Sequence, residues 1–321
     1  MRVLVTGASG FLGGVLVRTL VDHGHQVRAT GRDHARLASL PEAVEKHPAD
    51  LTHPEAVRLA CDGCEAVVHS AALSAPWGPR KAFWDTNVLG TQQLLDACQA
   101  AGIRRLIHIS SPSVIFTGRD LHNATETEPY ARHPLSAYAW SKQHAEQRVR
   151  HSPLDWLILR PKAIFGPGDT SLLPRIVAAA REGRLPTIGT GTNAIDLTYV
   201  DNVAHAVALA LDSTVTRQVY HVTNDEHVPL WPLIHRVLAH FGVPSPRWRL
   251  PLWLALQVGW LSEIRATLLG GEPRLTRYSA ALLGTTQTYD ISALKRDLAY
   301  RPLVSVDEGV RRTLQSWSEK F

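Results

Sequence analysis

The feature that most constrains the fold lies in the first twenty-one residues. Residues 2–6 form an apolar run that passes directly into Gly7-Ala8-Ser9-Gly10-Phe11-Leu12-Gly13. Val15-Leu16-Val17, Leu20 and Val21 then recur on one face of a helix. Strand, glycine turn and helix in that order open a βαβ unit. The glycines give a tight turn, a close backbone approach to pyrophosphate and close packing of helix on strand. The helix N-terminus adds free N–H groups and the positive end of its dipole. The spacing is GxxGxxG, one residue longer than the commonest fingerprint, and no Lys-Ser/Thr pair follows as a phosphate-binding P-loop would require. Gly7, Ser9, Gly10, Phe11, Leu12 and Gly13 are therefore expected to hold a dinucleotide.

A second strand, Gln26 to Thr30, ends in Thr30-Gly31-Arg32. NAD-selective sites usually carry an acid there for the ribose hydroxyls. Arg32 would instead pair with a 2′-phosphate through a planar, charge-assisted contact. NADP is the expected cofactor, with NAD the alternative should Arg32 be solvated and Asp33 read the ribose.

Two further strands are expected at Ala66–His69 and Leu106–Ile109, ending in Ser70-Ala71-Ala72 and Ser110-Ser111. A helical stretch over about 80–101, containing Asn87, separates them. This alternation predicts an α/β chain, a Rossmann-type doubly wound parallel sheet with ligands at the carboxyl ends of its strands. Ala71, Ala72 and Ser111 fall at those ends. Tyr138-Ala139-Trp140-Ser141-Lys142 then opens a helix running to about Arg150, with Tyr138 and Lys142 one turn apart on one face. Reduction of a ketone builds negative charge on oxygen and needs a proton donor there. A phenol with a pKa of about 10 suits that task better when an ammonium lowers its pKa. A serine hydroxyl can hold the carbonyl oxygen.

With these residues in place the chain resembles the extended short-chain dehydrogenase/reductase superfamily over essentially its whole length. TGASGFLG, SSPSVIF, YAWSK and LRPKAIFGPGD (Leu159 to Asp169) occur in the family's order. The resemblance implies that Ser111 orients the substrate oxygen, Tyr138 is the acid/base, and Lys142 holds the nicotinamide ribose and tunes the tyrosine. It also implies that Asn87 braces the site and a relay water, that Asp50 and Leu51 contact adenine, and that Pro161 to Ile164 meet the carboxamide. Ser111 is favoured over Ser110 because it stands three residues before Val114.

The segments Leu172-Leu173-Pro174-Arg175, Asp196 to Val203 and Tyr220 to Asn224 resemble the 3β-hydroxysteroid dehydrogenase-like branch, which includes sterol 4-carboxylate 3-dehydrogenases and bacterial 2-alkyl-3-oxoalkanoate reductases. Nucleotide-sugar epimerases generally show VYG where this chain has Val114-Ile115-Phe116. The implied activity interconverts a ketone and a secondary alcohol on a small hydrophobic substrate, sterol-like or 3-oxoacyl. Lys162 or Arg175 would meet the carboxylate of a β-keto acid. The alternatives are a nucleotide-sugar epimerase or dehydratase, and a non-catalytic NADP-binding sensor.

The expected organisation is a dinucleotide-binding domain over 1–170, with 193–225 returning to it, and a smaller, mostly helical C-terminal substrate cap formed by 171–192 and 226–321. The cap carries an apolar run from Leu250 to Leu261 that is too short to span a bilayer, which needs about 20 residues. It reads as a substrate wall or core helix, a dimer contact, or a membrane-surface helix giving peripheral contact. Trp77-Gly78-Pro79 would frame the pocket or form a rigid surface loop. Asp201-Asn202, before the apolar Val203, Val207 and Leu211, reads as helix capping and domain packing.

The 321 residues are 45% hydrophobic and 20% charged, as in an ordinary globular protein. The net charge of +5 comes from scattered Arg, without the basic runs that mark nucleic-acid partners. Met1 leads straight into the first strand with no secretory pattern, so a cytoplasmic location is expected. Cys61 and Cys64 form a lone CxxC without a second pair, so no metal is expected. A homodimer through the helices near 80–101 and 138–150 is expected by analogy.

Overall fold

In the computed structural model, which describes residues 1–169 and 173–318, seven parallel strands form the central sheet. Their order is Gln218–Val222, Asp155–Pro161, Arg105–Ile109, Ala66–His69, Arg2–Thr6, Gln26–Thr30 and Glu45–Lys46. The order reverses between Arg2–Thr6 and Ala66–His69, so a crevice opens there at the carboxyl edge.

The strands are buried on both faces, and their side chains alternate between two cores. Val3, Val5, Val68, Ile107 and Leu157 meet the helices Phe11–Asp22 and Val200–Asp212, through residues such as Leu16, Leu20 and Val207. Leu4, Val67, Leu106 and Ile158 meet Val57, Leu94 and Val149 on the opposite side. These come from the helices Pro54–Cys61, Gly90–Ala100 and Ala137–His151. Near-continuous apolar strands are what such double coverage demands.

The stretch expected as one helix over 80–101 is interrupted. It runs as an α-helix over Arg80–Phe83, widens to a π-helix over Trp84–Leu89 and resumes as α over Gly90–Ala100. The helix carrying Tyr138 and Lys142 spans Ala137–His151, and the Ser136 hydroxyl caps it by accepting from Ala139 N at 3.1 Å.

A third core gathers Trp231, Ile234, Val237, Ile188, Leu197 and Trp317. A four-stranded sheet lies beside it, in the order His227–Pro229, Ala194–Asp196, Gln287–Tyr289, Leu121–Ala124. That sheet joins segments more than 150 residues apart and delivers Gln287 and Tyr289 to the carboxyl edge of the large one. Leu172 lies outside the described residues.

The capping expected of Asp201-Asn202 is corrected. The helix begins at Val200 with no side-chain cap, and Asn202 is inside it. Asn202 serves the other expected role, domain packing. Its Oδ1 accepts from Leu303 N at 2.8 Å and Val304 N at 3.0 Å, and its Nδ2 donates to Asn224 Oδ1 at 2.8 Å.

Candidate active site

The glycine turn has the shape a dinucleotide pyrophosphate requires. Gly7 sits at φ +71°, and a Cβ there would lie 2.7 Å from the Ala71 Cα. A Cβ on Gly13 would come within 2.0 Å of the Gly7 carbonyl oxygen, so only glycine lets helix and turn meet. Gly10 caps the helix in an extended conformation without a side-chain hydrogen bond, leaving the first-turn N–H groups for a ligand. Phe11 and Leu12 line the adjoining cavity. Ser9 packs on Gly31 so closely that a Cβ would sit 2.4 Å from the serine oxygen. The residues present fit an anionic dinucleotide.

At the neighbouring strand end Arg32 is exposed, whereas Asp33 is engaged in capping the helix His34–Ala38 by accepting from Arg36 N at 3.0 Å. The Asp50 carboxylate accepts from both Thr52 N and Thr52 Oγ1 at 2.9 Å, and Leu51 is buried against Gly90.

A cavity of about 610 Å³ opens along the strand ends. Phe11, Leu12, Ala72, Ser111, Tyr138, Lys142, Pro161 and Ile164 line it. Gly7, Ser9, Gly10, Gly13 and Ala71 lie along the crevice behind it, while Arg32, Asp50 and Leu51 stand outside its walls.

The electrostatics of Tyr138 differ from the sequence-based expectation. Desolvation raises its pKa, with hydrogen bonding from Ser111 and then Ser74 working in the opposite direction. The groups that oppose the rise are the two serines and not Lys142, whose ammonium donates to the Ile109 carbonyl at 2.6 Å. Burial lowers Lys142 itself to about 8. The two adjacent serines point apart. Ser111 accepts from Ser113 N at 3.2 Å and faces Tyr138, whereas Ser110 is buried on the Glu146 side.

Asn87 lies in the π-turn and behind the cavity wall. Its Oδ1 accepts from Leu73 N at 2.6 Å, and its Nδ2 donates to Leu73 O at 3.1 Å and Ser141 Oγ at 2.9 Å. It thus joins the loop after Ala72 to the helix of Tyr138. A second chain runs through His69. The Thr91 hydroxyl donates to Asn87 O at 2.6 Å, so at 2.9 Å it accepts from His69 Nε2. The Thr6 hydroxyl then donates to His69 Nδ1 at 2.8 Å, while its oxygen accepts from Ala71 N at 3.2 Å. Burial holds His69 neutral, with a pKa of about 3.

Sequence reasoning missed Ser74, Tyr278, Gln287 and Tyr289, all of which line the cavity. Ser74 follows a strand end within an irregular stretch, the one local signal it gives. The other three carry no local signal. Lys162 faces this group: its buried ammonium donates to Gln287 Oε1 at 2.5 Å and lies 5.8 Å from the Tyr289 ring centre. Burial lowers it to about 8, with Asp196 pulling the other way. Arg175 lines the rim but is exposed and paired with Glu272 at 3.1 Å. Trp77, Gly78 and Pro79 line a second cavity of about 990 Å³, which shares Pro76 and Ser136 with the first.

Comparison with known proteins adds three observations. The family model of the 3-beta hydroxysteroid dehydrogenase/isomerase family matches residues 4–252. A 2-alkyl-3-oxoalkanoate reductase of Stenotrophomonas maltophilia is 39% identical, over 97% of this chain and 98% of its own. A mouse sterol-4-alpha-carboxylate 3-dehydrogenase, decarboxylating, is 33% identical over 98% of this chain and 91% of its own. Among solved structures, a dTDP-glucose 4,6-dehydratase double mutant of Streptomyces venezuelae with NAD bound superposes with a TM-score of 0.80 at 26% identity, over 99% of this chain and 97% of its own.

Proposed function

The chain belongs to the 3-beta hydroxysteroid dehydrogenase/isomerase family, and from that premise we propose that it reduces the ketone of a hydrophobic 3-oxo carboxylate, or oxidises the matching alcohol, with NADP. The observation that carries this reading is the meeting of Ser111, Tyr138 and Lys142 on one cavity beside the uncapped helix of the glycine turn. When bound, the nicotinamide supplies or accepts the hydride. Ser111 holds the substrate oxygen, and the Tyr138 hydroxyl gives that oxygen its proton as charge develops. A phenol kept protonated by desolvation suits the reductive direction. Lys142 holds the ribose end.

Lys162 supports a carboxylate on the substrate. It is a buried cation in the same cavity, and among the described residues its hydrogen-bond acceptor is a neutral amide. An anionic group beside it would restore the balance that burial upsets. The names of the two relatives, an oxoalkanoate reductase and a sterol-carboxylate dehydrogenase, agree with that chemistry. Arg32, an exposed guanidinium at the second strand end, supports the 2′-phosphate.

The test is NADPH oxidation with a 2-alkyl-3-oxoalkanoate, its methyl ester, a ketosteroid and a UDP-sugar. Turnover of the acid, with the ester at least tenfold slower, is the expected result. Tyr138→Phe should lower kcat by several orders of magnitude and leave NADPH binding, read by fluorescence, nearly intact. Near-normal turnover by that variant would sink the mechanism. Sugar isomerisation without net NADPH loss would replace this reading with the epimerase one.

A further inference from the structure

The helix Leu252–Leu269 is packed with its polarity reversed. Its body-facing positions are Ala255, Gly259, Glu263 and Ala266, all buried. At Gly259 a Cβ would lie 2.8 Å from Arg277 N, so the helix must present glycine to approach the next one. Glu263 locks this orientation by accepting from Arg277 N at 2.7 Å and Arg277 Nε at 2.8 Å. The large apolar side chains are left outside. Trp253 is 67% exposed, Leu261 58%, Leu268 76% and Leu269 77%, and Trp260 joins them. A surface helix on a water-facing protein shows the opposite arrangement. No helix among the described residues is long and apolar enough to cross a membrane, so contact of this face with a bilayer would lie along its surface.

The rim of the face is basic. Between residues 244 and 278 there are five arginines and two glutamates. Both glutamates are already paired, Glu263 with Arg277 and Glu272 with Arg175. Arg247, Arg249, Arg265 and Arg274 are exposed and have no carboxylate partner among the described residues. Trp248, 49% exposed, stands between two of them. Tryptophan and arginine flanking an apolar helix match the boundary between acyl chains and anionic headgroups. A second copy fits worse, since a two-fold contact through this patch would set arginine against arginine.

The same helix walls a route to the chemistry. Trp260, Ile264 and Leu268 line the cavity of about 990 Å³, opposite Trp77 and Trp140. Pro76 and Ser136 join it to the cavity of Tyr138.

We propose that the outward face of helix Leu252–Leu269, with Trp248 and its arginine rim, docks on an anionic lipid surface, and that a lipid-borne substrate enters past Trp260 toward Tyr138. The entry route rests on the ketone-reducing reading above, whereas the docking does not.

The full chain would be sedimented with vesicles of phosphatidylcholine alone and of phosphatidylcholine with 30% phosphatidylglycerol. Tight, salt-sensitive binding to the anionic vesicles is expected. The double variant Leu261→Glu/Leu269→Glu, at two exposed positions that line neither cavity, should bind them at least tenfold more weakly while keeping its melting temperature. It should also keep wild-type turnover of a short, water-soluble 3-oxo acid and lose at least tenfold with a long-chain 2-alkyl-3-oxo acid presented in vesicles. Failure of the wild type to bind, or equal binding to both vesicles, overturns the docking surface. A wild-type dimer that this variant splits into monomers assigns the face to a second copy and also overturns it. Vesicle binding with unchanged long-chain turnover in the variant overturns the entry route. Absence of all ketone turnover, with vesicle binding intact, overturns the ketone-reducing reading and the route and leaves the docking standing.

Discussion

The Glu146 carboxylate grips the Arg160 guanidinium through two hydrogen bonds of 2.9 and 2.7 Å, and neither side chain reaches solvent. The Tyr130 hydroxyl donates a third bond to Glu146 at 2.8 Å. Glu146 stands one turn beyond Lys142, so the pair pins the helix of Tyr138 to the strand Asp155–Pro161. Glu146→Gln leaves a buried guanidinium without its counter-charge, and such losses cost about 3–5 kcal/mol. Thermal unfolding should show a melting temperature lower by several degrees. The double variant Glu146→Leu/Arg160→Met, which removes both charges, should recover most of that loss. A single variant as stable as the parent would show the pair to be dispensable.

Arg32 governs cofactor choice if the 2′-phosphate is its partner. A charge-assisted contact of this type contributes about 1.5–3 kcal/mol. Arg32→Ala should therefore raise KM for NADPH by about 10- to 150-fold and leave KM for NADH within a factor of two, read from initial rates. Equal effects on both cofactors would remove Arg32 from that role.

Lys162 carries a pH signature. Burial lowers it to about 8, so its ammonium is present below that pH and lost above it. KM for a 3-oxo carboxylate should climb as pH passes from 7 to 9, while KM for the corresponding methyl ester stays level. Lys162→Met should abolish the difference between acid and ester. A level profile for the acid would place its carboxylate elsewhere.

Acid stability should be poor. His69 and His221 are held at about 3 by burial, and His108 is lowered as well, against 6.5 for an ordinary histidine. These rings are neutral in the fold but protonate in the unfolded chain below pH 6.5. Their contribution is therefore intact above that pH and lost as pH falls from 6.5 toward 3. Each costs about 1.4 kcal/mol per pH unit, or about 2 kcal/mol by pH 5. Neither ring nitrogen of His108 finds a hydrogen-bond partner among the described residues. His108→Phe gives up no such bond there, and its melting temperature should fall less between pH 7 and pH 5 than the parent's. Parallel curves would exclude His108 from the effect.

The sequence made the nucleotide half of the molecule legible because its signals are local. The run Val3-Leu4-Val5, the turn at Gly7 to Gly13 and the one-turn spacing of Tyr138 and Lys142 each describe a single element. Gln287 and Tyr289 reach the cavity through a sheet that pairs Gln287 with Leu121, Tyr278 comes from the helix Arg277–Gly284 before it, and no periodicity connects positions so far apart. Asn202 misled for a related reason. An Asn near the start of an apolar helix suggests a cap, yet the partners that fixed its position, Leu303 and Val304, lie a hundred residues downstream. The fate of Lys142 was hidden as well, since the Ile109 carbonyl that holds its ammonium comes from another strand.

The π-turn over Trp84–Leu89 sets a limit on which changes in length the chain can absorb. Such a turn holds one more residue than an α-turn, so deleting one residue there would let the helix close to regular winding. Winding the undeleted residues as a regular α-helix would instead rotate every side chain on one side of the turn by about 100° relative to those on the other. Asn87 and Thr91 sit four residues apart across that boundary, one bound to Leu73 and Ser141 and the other to His69. A regular helix of the full-length sequence does not serve both sets of partners. Among relatives that keep these bonds, a change of length in this segment should therefore be the loss of that one residue together with the π-turn, and other insertions and deletions should collect in the loops.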